Sequence, residues 1–367
     1  MNAVRKILFL LPVVLFFCLP VFLNAYWIDV FNNVGLYAIL ALSLNLILGH
    51  AGLFHMGHAA FYALGAYTTA ILNINFHIPV LWVLPVSGLV AALFAALVMR
   101  PVIRLRGDYL LIVTIGIGEI VRIALINDLF GLTGGANGLF GVSRPVIFGY
   151  VIKTPADFFY LIWFLVLVTM FLFARLEHSR FGRALNYIKE DEVAAGGNGI
   201  DTGFYKLAVF CLGAAWAGMT GTVFAAKMTI ISPESFTFLE SVMLFSIVIL
   251  GGSGSIWGML LGAFLIVGLP ELFKHFASAR MLVFGAAIML MRKDFMDLAK
   301  PGLIKAKCAP NALSTFEEYL LDYASKENQL AGEIAITASL AGMDEKIRRV
   351  SEKLLTKVRS GQRDVYC

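Results

Sequence analysis

Residues 177–206 read EHSRFGRALNYIKEDEVAAGGNGIDTGFYK, a polar stretch in a chain that is otherwise mostly apolar as far as Met291. A polar segment of this length cannot rest in hydrocarbon, so it must stand in water between two membrane spans. Phe181, Leu185 and Ile188 fall at i, i+4 and i+7, which places them on one face of a helix. Lys189, Glu190, Asp191 and Glu192 follow as a charged patch, and Gly196, Gly197 and Gly199 are expected to stop the helix and allow a sharp reversal. A short helix with one apolar stripe, held at a membrane surface, suits docking into a groove on another protein. The same spacing also fits an ordinary cytoplasmic loop.

Working outward, 59% of the 367 residues are hydrophobic and 14% charged, where an ordinary soluble domain carries about 25% charged residues. Lipid must therefore be part of the solvent. The net charge of +5 sits in loops and the tail, so it gives no sign of nucleic-acid binding. Cys18, Cys211, Cys308 and Cys367 are far apart and form no metal-ligand spacing, and two of them fall in apolar runs, which argues against a disulfide framework.

Spans of about 20 apolar residues, shorter where helices are broken, are expected at 7–28, 34–49, 52–73, 80–98, 109–127, 158–175, 205–226, 240–252, 256–274 and 278–291. The first could pass for a signal peptide, but the run is too long for an ordinary h-region and lacks a small-residue cleavage site. Placing Arg5 and Lys6 inside puts Arg100, Arg104, Arg106, Arg175, Arg180, Arg183, Lys189 and Lys206 on the same side. The outside loops then hold few basic residues, so both termini and the 177–206 loop are expected in the cytoplasm.

Gly49, Gly52, Gly57 and Gly65 interrupt the second and third spans. Non-helical backbone at membrane depth survives inside protein or beside a water-filled cavity, so this region is expected near the bundle centre. His50, His55 and His58 lie there without Asp, Glu or Cys neighbours, and no metal site is expected. Glu119 sits about 15 Å into the fifth span, where a lone charge costs roughly 2.5–3.5 kcal/mol. Arg122, at i+3, is close enough to pair with it, with Thr114 and Gly118 nearby. The pair reads equally as a polar patch on a translocation route for a zwitterionic solute or as a structural ion pair. The glycine-rich loop 131–142 lacks the GxxxxGK[ST] phosphate cradle; it reads as a mobile loop or as a rim that meets a binding protein. Gly213, Ala217 and Gly221, and Gly254, Gly258 and Gly262, form small-residue stripes for helix packing within the chain or at a subunit interface. LGHAG at 48–52 and LGGSG at 250–254 echo each other weakly.

Three segments together carry a family resemblance: SRFGRALNYIKEDEVAAGGNGIDTGFYKLAVFCLGAAWAGMTG at 179–221, LALSLNLILGHAGLFHMGHAAFYALGAYT at 40–68, and RGDYLLIVTIGIGEIVRIALIND at 106–128 with LTGGANGL at 132–139. Over roughly residues 30–300, in the same order, the chain resembles the permeases of branched-chain amino acid ABC importers. The resemblance implies an all-α polytopic membrane bundle of about ten helices with glycine-broken spans, and no catalysis in this chain. It also implies that the 177–206 loop couples to two ATP-hydrolysing subunits, through Phe181, Gly182, Arg183, Ala184, Leu185, Ile188, Glu190, Asp191, Ala194, Ala195 and Gly199. ATP and Mg would be bound by those subunits; a second, related permease and an external solute-binding protein complete the set of partners. Candidates for the translocation path are Asn45, Gly49, Gly52, His58, Thr114, Glu119 and Arg122. His58 fits the family's Gly-His-Ala pattern, whereas His50 and His55 stand where Gln or Tyr and Ser are usual.

The permease domain is expected over 1–300. Where the family often ends in an Arg-Pro-Arg-Gly-like sequence, RKDFMDLAKPGL at 292–303 runs on into a cytoplasmic helical tail, 301–367, which is either a solvated appendage or a contact for the ATPase or the membrane. The leading function is thus an inner-membrane importer permease for leucine, isoleucine and valine, with urea, short amides or other amino acids as alternative cargo. An ion-coupled transporter would want more deep acidic residues than Glu119. An intramembrane enzyme would want a nucleophile–base pair or a metal set.

Overall fold

Helix α1, Ala25–Asn45, begins at residue 25 rather than at 34, and continues as a π-helical turn, Leu46–His50. The polar residues between the expected first and second spans therefore lie inside one helix. Each has a partner: Asp29 and Asn33 both receive the Lys227 ammonium, at 2.9 and 2.5 Å, and Asn32 donates to the Pro155 carbonyl at 2.9 Å. Buried polar groups are tolerated when they are bonded, so the run does not break there.

The computed structural model describes residues 17, 19–103, 105, 107–128, 131–147 and 149–272. These lie in the first of two compact units, Met1–Met296; the second, Asp297–Cys367, lies outside the described residues. The expected span 278–291, nearly all of 7–18 and the tail 301–367 also lie outside them.

After α1 come α2 (His58–Phe76), α3 (Val80–Val102), α4 (Asp108–Ile126), α5 (Pro155–Glu177), the short α6 (Arg180–Glu190) and α7 (Glu192–Gly197), then α8 (Thr202–Met228), α9 (Phe238–Gly251) and α10 (Ile256–Ala263). A second π turn, Phe264–Gly268, follows α10. Among the described residues six segments are long and apolar enough to cross a membrane: Ala25–His50, Val80–Val102, Asp108–Ile126, Pro155–Glu177, Thr202–Met228 and Pro233–Gly251. Helix α2 has the length but is not one of them. It carries His58, Tyr62, Tyr67, Thr69 and Asn73 on buried positions, which is possible because neighbouring helices, not lipid, surround it.

Helix α1 is the axis of the bundle. Every residue from Ala38 to Ala51 is buried, and it packs against α5, α8, α9 and α10. Helix α8 packs most extensively on α3 and α2. Small residues make this possible. A side chain at Gly65 would meet the Gly218 backbone, one at Gly221 the Tyr62 carbonyl, and one at Gly213 the Ile47 side chain. The α8 stripe is thus a packing seam within the chain. Thr69, Ser87 and Thr222 seal it with a buried hydroxyl cluster, Thr69 to Thr222 at 2.9 Å and Ser87 to Thr222 at 2.5 Å. Gly258 and Gly262 face Gly251 and Ile247 in the same manner. A Cβ at Gly218 would lie 2.7 Å from both the Ala91 Cβ and the Ser87 carbonyl oxygen. Gly218→Val should therefore destabilise the bundle by about 1–3 kcal/mol, read as a lower melting temperature in detergent. Gly116→Ala, with nothing within 4 Å, should leave it unchanged.

The loops at the far end from α6 fold together. Strand β1, Leu139–Phe140, pairs antiparallel with β4, Ile230–Ile231, and β2, Val146–Ile147, pairs with β3, Tyr150–Val151. The glycine-rich loop is held in place. The Thr133 amide and hydroxyl and the Gly134 amide donate to the Asp128 carboxylate at 2.8–3.1 Å. The Thr133 amide above all keeps that carboxyl below its ordinary range. Ser143 is clamped by Asn73, which accepts from its amide at 2.7 Å.

Candidate functional site

The 177–206 segment forms two short helices at the α5–α8 junction. Ser179 opens α6 by accepting from the Gly182 amide at 3.2 Å, and Asp191 ends α6 and opens α7 by accepting from Val193 and Ala194. The expected stop at Gly196 and Gly197 falls at these glycines: Gly197 is the last helical residue of α7 and Asn198 caps it. Only Gly199, at φ +82°, takes the left-handed turn; the Ile200 amide then reaches back to the Ala195 carbonyl at 3.2 Å. Asp201 caps α8.

The apolar stripe points inward. Leu185 is 0% exposed and Ile188 4%, with Ala184 and Ala195 also buried, while Phe181 rests on Tyr205 with ring centroids 5.4 Å apart. Gly182 sits against the Leu176 and Glu177 carbonyls where no side chain fits. The stripe read as a docking face is covered by this chain's own helices. The opposite face is open, and carries Arg183, Tyr187, Glu190, Asp191, Val193 and Ala194, with Tyr187 58% and Val193 72% exposed.

Three polar links tie this loop to the bundle. The Lys189 ammonium donates to the Gly49 carbonyl at 2.7 Å. Lys206, 6% exposed at its side chain, pairs with Glu192 at 2.6 Å, and His50 lies 3.8 Å from Glu177. The Lys189 stem also lies over Gly52, whose φ of +66° suits glycine.

Gly49 and Gly52 flank the end of α1, and the chain from Gly52 to Gly57 is non-helical. Most of the path candidates meet at this break. Asn45, 2% exposed, accepts from the Gly254 amide at 2.8 Å; the space a side chain would need at Gly49 holds the Asn45 amide and the Gly254 nitrogen. The two echoing glycine segments therefore touch. Thr114 on α4 accepts from the Met56 amide at 3.2 Å, and Gly57 lies against the Thr114 backbone. Ser241 on α9 accepts from the Ala59 amide at 3.0 Å. Buried amides of a broken helix must find partners, and here two other helices supply them. His58, fully buried, shares a 2.7 Å hydrogen bond with Ser43, whose hydroxyl donates to the Leu40 carbonyl; His58 thus donates through Nε2. Among the described residues no group of three or more His, Cys, Asp or Glu side chains could hold a metal.

Glu119 and Arg122 pair at 2.9 Å on α4, with side chains 26% and 19% exposed. Helix α4 is the least covered of the six, with 22% of its apolar window buried against 83% for Ala25–His50. Glu119 borders a small cleft with Met56, Ala59, Phe238 and Ser241, so the pair adjoins the break. A second half-buried carboxylate, Glu240, accepts from Tyr37 at 2.6 Å. Ser43, Ser241, Lys189 and the His50–Glu177 contact were missed by sequence reasoning, because each acts on a residue distant in the chain. Asp29, Asn32 and Asn33 did carry a signal, being polar within an apolar run.

No solved structure matches this chain. The family described as "Branched-chain amino acid transport system / permease component" matches residues 26–292. The high-affinity branched-chain amino acid transport system permease protein LivM of Escherichia coli (strain K12) is 39% identical over 314 residues, covering 79% of this chain and 74% of that protein. The corresponding permease protein LivH of the same organism is 27% identical over 267 residues, 66% of this chain and 84% of that one. A probable LivM from Methanocaldococcus jannaschii is 25% identical over 264 residues, 62% and 75% respectively. A match spanning α1 to beyond α10, and thus both the glycine break and the α6–α7 loop, makes this chain a multi-pass helical membrane protein of the branched-chain amino acid permease family.

Proposed function

We propose that the chain is the pore-forming subunit of an ATP-driven importer that carries leucine, isoleucine and valine across the inner membrane. One observation supports it most: the α6–α7 loop buries its apolar stripe and still presents Tyr187 and Val193 outward. Exposed aromatic and aliphatic anchors on a surface helix are what a partner protein uses. In this reading two ATPase subunits dock there and hold the ATP and Mg, and this chain supplies no catalysis. Both termini lie in the cytoplasm, about ten helices cross the membrane, and an external binding protein meets the β1–β4 end. A second, related permease covers α4. A carboxylate 26% exposed on a helix facing hydrocarbon is costly, and a partner subunit or a water-filled path along that face would relieve it. Closure of the ATPase pair moves the loops and tips the bundle between outward and inward openings.

Glu240 gives an ion-coupled transporter some support, as a second carboxylate among the membrane helices. Uptake of labelled leucine and urea, by cells carrying the chain with its neighbouring genes, separates the readings. Leucine uptake abolished by inactivating the ATPase is the expected result. Uptake that survives it and follows an ion gradient would overturn the importer, and transport of urea alone would change the cargo.

A further inference from the structure

We infer that Lys189 is the strut that carries movement of the docking loop into the paired helix breaks at the bundle centre. This rests on the importer reading. Two hydrogen bonds in series make the case. The Lys189 ammonium donates to the Gly49 carbonyl at 2.7 Å, 140 residues away in the chain. That carbonyl belongs to the π turn that ends α1, where the backbone departs from the α-helical pattern and then unwinds. Its neighbour Asn45 accepts from the Gly254 amide at 2.8 Å, and Gly254, at φ +93°, belongs to the second break, between α9 and α10.

The geometry around the contact is tight. A Cβ at Gly52 would come within 3.1 Å of the Lys189 Cγ, and one at Gly49 within 2.6 Å of the Gly254 nitrogen. Lys189 is thus held at both ends, its stem over Gly52 and its ammonium on Gly49. At its start α6 packs closely on the end of α5, with Gly182 against the Leu176 and Glu177 carbonyls. A displacement of α6 therefore reaches the end of α1 through this side chain. From there it passes through the non-helical segment to Met56 and Ala59, which Thr114 and Ser241 hold beside Glu119. Coupling between distant sites needs such a chain of packed and bonded groups, and a glycine-broken junction can take up the change in backbone angles. Lys189 is a positioning residue here: it touches no solute.

The test uses the whole complex, with this chain tagged and co-expressed with its ATPase subunits, second permease and binding protein. Lys189→Met keeps the stem and removes the charge; Lys189→Arg keeps a donor. The strut predicts that Lys189→Met retains the ATPase subunits on purification and continues to hydrolyse ATP, while uptake per ATP falls at least tenfold. Lys189→Arg should restore a substantial part. Wild-type uptake per ATP in Lys189→Met with the complex intact would overturn the strut alone. Loss of the ATPase subunits in Lys189→Met would also overturn it, by making Lys189 part of the docking surface. Absence of the ATPase from the wild-type complex would instead overturn the importer reading.

Discussion

Aspartate at both Tyr187 and Val193 should strip the ATPase subunits from the purified complex and abolish uptake, while the chain still inserts and folds. Both side chains project from the open face of the α6–α7 loop and are more than half exposed, so the substitution removes little internal packing. Losing a central anchor at a protein interface costs about 2–4 kcal/mol, or roughly 30- to 1,000-fold in affinity. The measurement is retention of the ATPase on the tagged permease, with detergent melting as the control for folding. Retention at the wild-type level would dismiss this face as the docking surface. Charges at Leu185 or Ile188 would be a poorer probe. Both are buried within the chain, and a charge there would disrupt the loop whether or not a partner uses it.

Glu119→Gln should lower uptake at least tenfold with the protein still in the membrane. The change leaves the Arg122 guanidinium facing a neutral amide where it now bonds a carboxylate at 2.9 Å. The double variant Glu119→Gln/Arg122→Gln separates the two roles left open by the sequence. A purely structural pair predicts that removing both charges restores stability and transport together, because no charge is then left unpaired. A pair on the solute route predicts that melting recovers and uptake does not, which is the outcome expected here. Glu240→Gln should be mild by comparison. The amide carbonyl can still accept from the Tyr37 hydroxyl that Glu240 now holds at 2.6 Å.

Much of this architecture was legible in the residues. The polar island at 177–206 marked the water-exposed loop, and the charge on Glu119 announced its own partner at i+3, because both signals are local. The glycines at 49, 52 and 57 marked a broken helix, and the break is there. The misreadings share one cause. Asp29, Asn32 and Asn33 look like a loop until Lys227 and the Pro155 carbonyl arrive to bond them. The stripe of Leu185 and Ile188 looks like a docking face until this chain's own helices cover it.

The sequence by itself determined that this is a membrane bundle with a polar loop between spans, a glycine-broken centre and a Glu119–Arg122 pair within an apolar helix. Each of these follows from the cost of placing polar groups in hydrocarbon, which a residue incurs wherever the chain later folds. Only the tertiary structure decided which way the α6 stripe faces, that the two glycine segments meet, and that Lys189 bonds Gly49. An apolar stripe specifies that it will be buried and is silent on what buries it. Here the chain's own helices bury it, and the face left open is the one that carries Tyr187 and Val193.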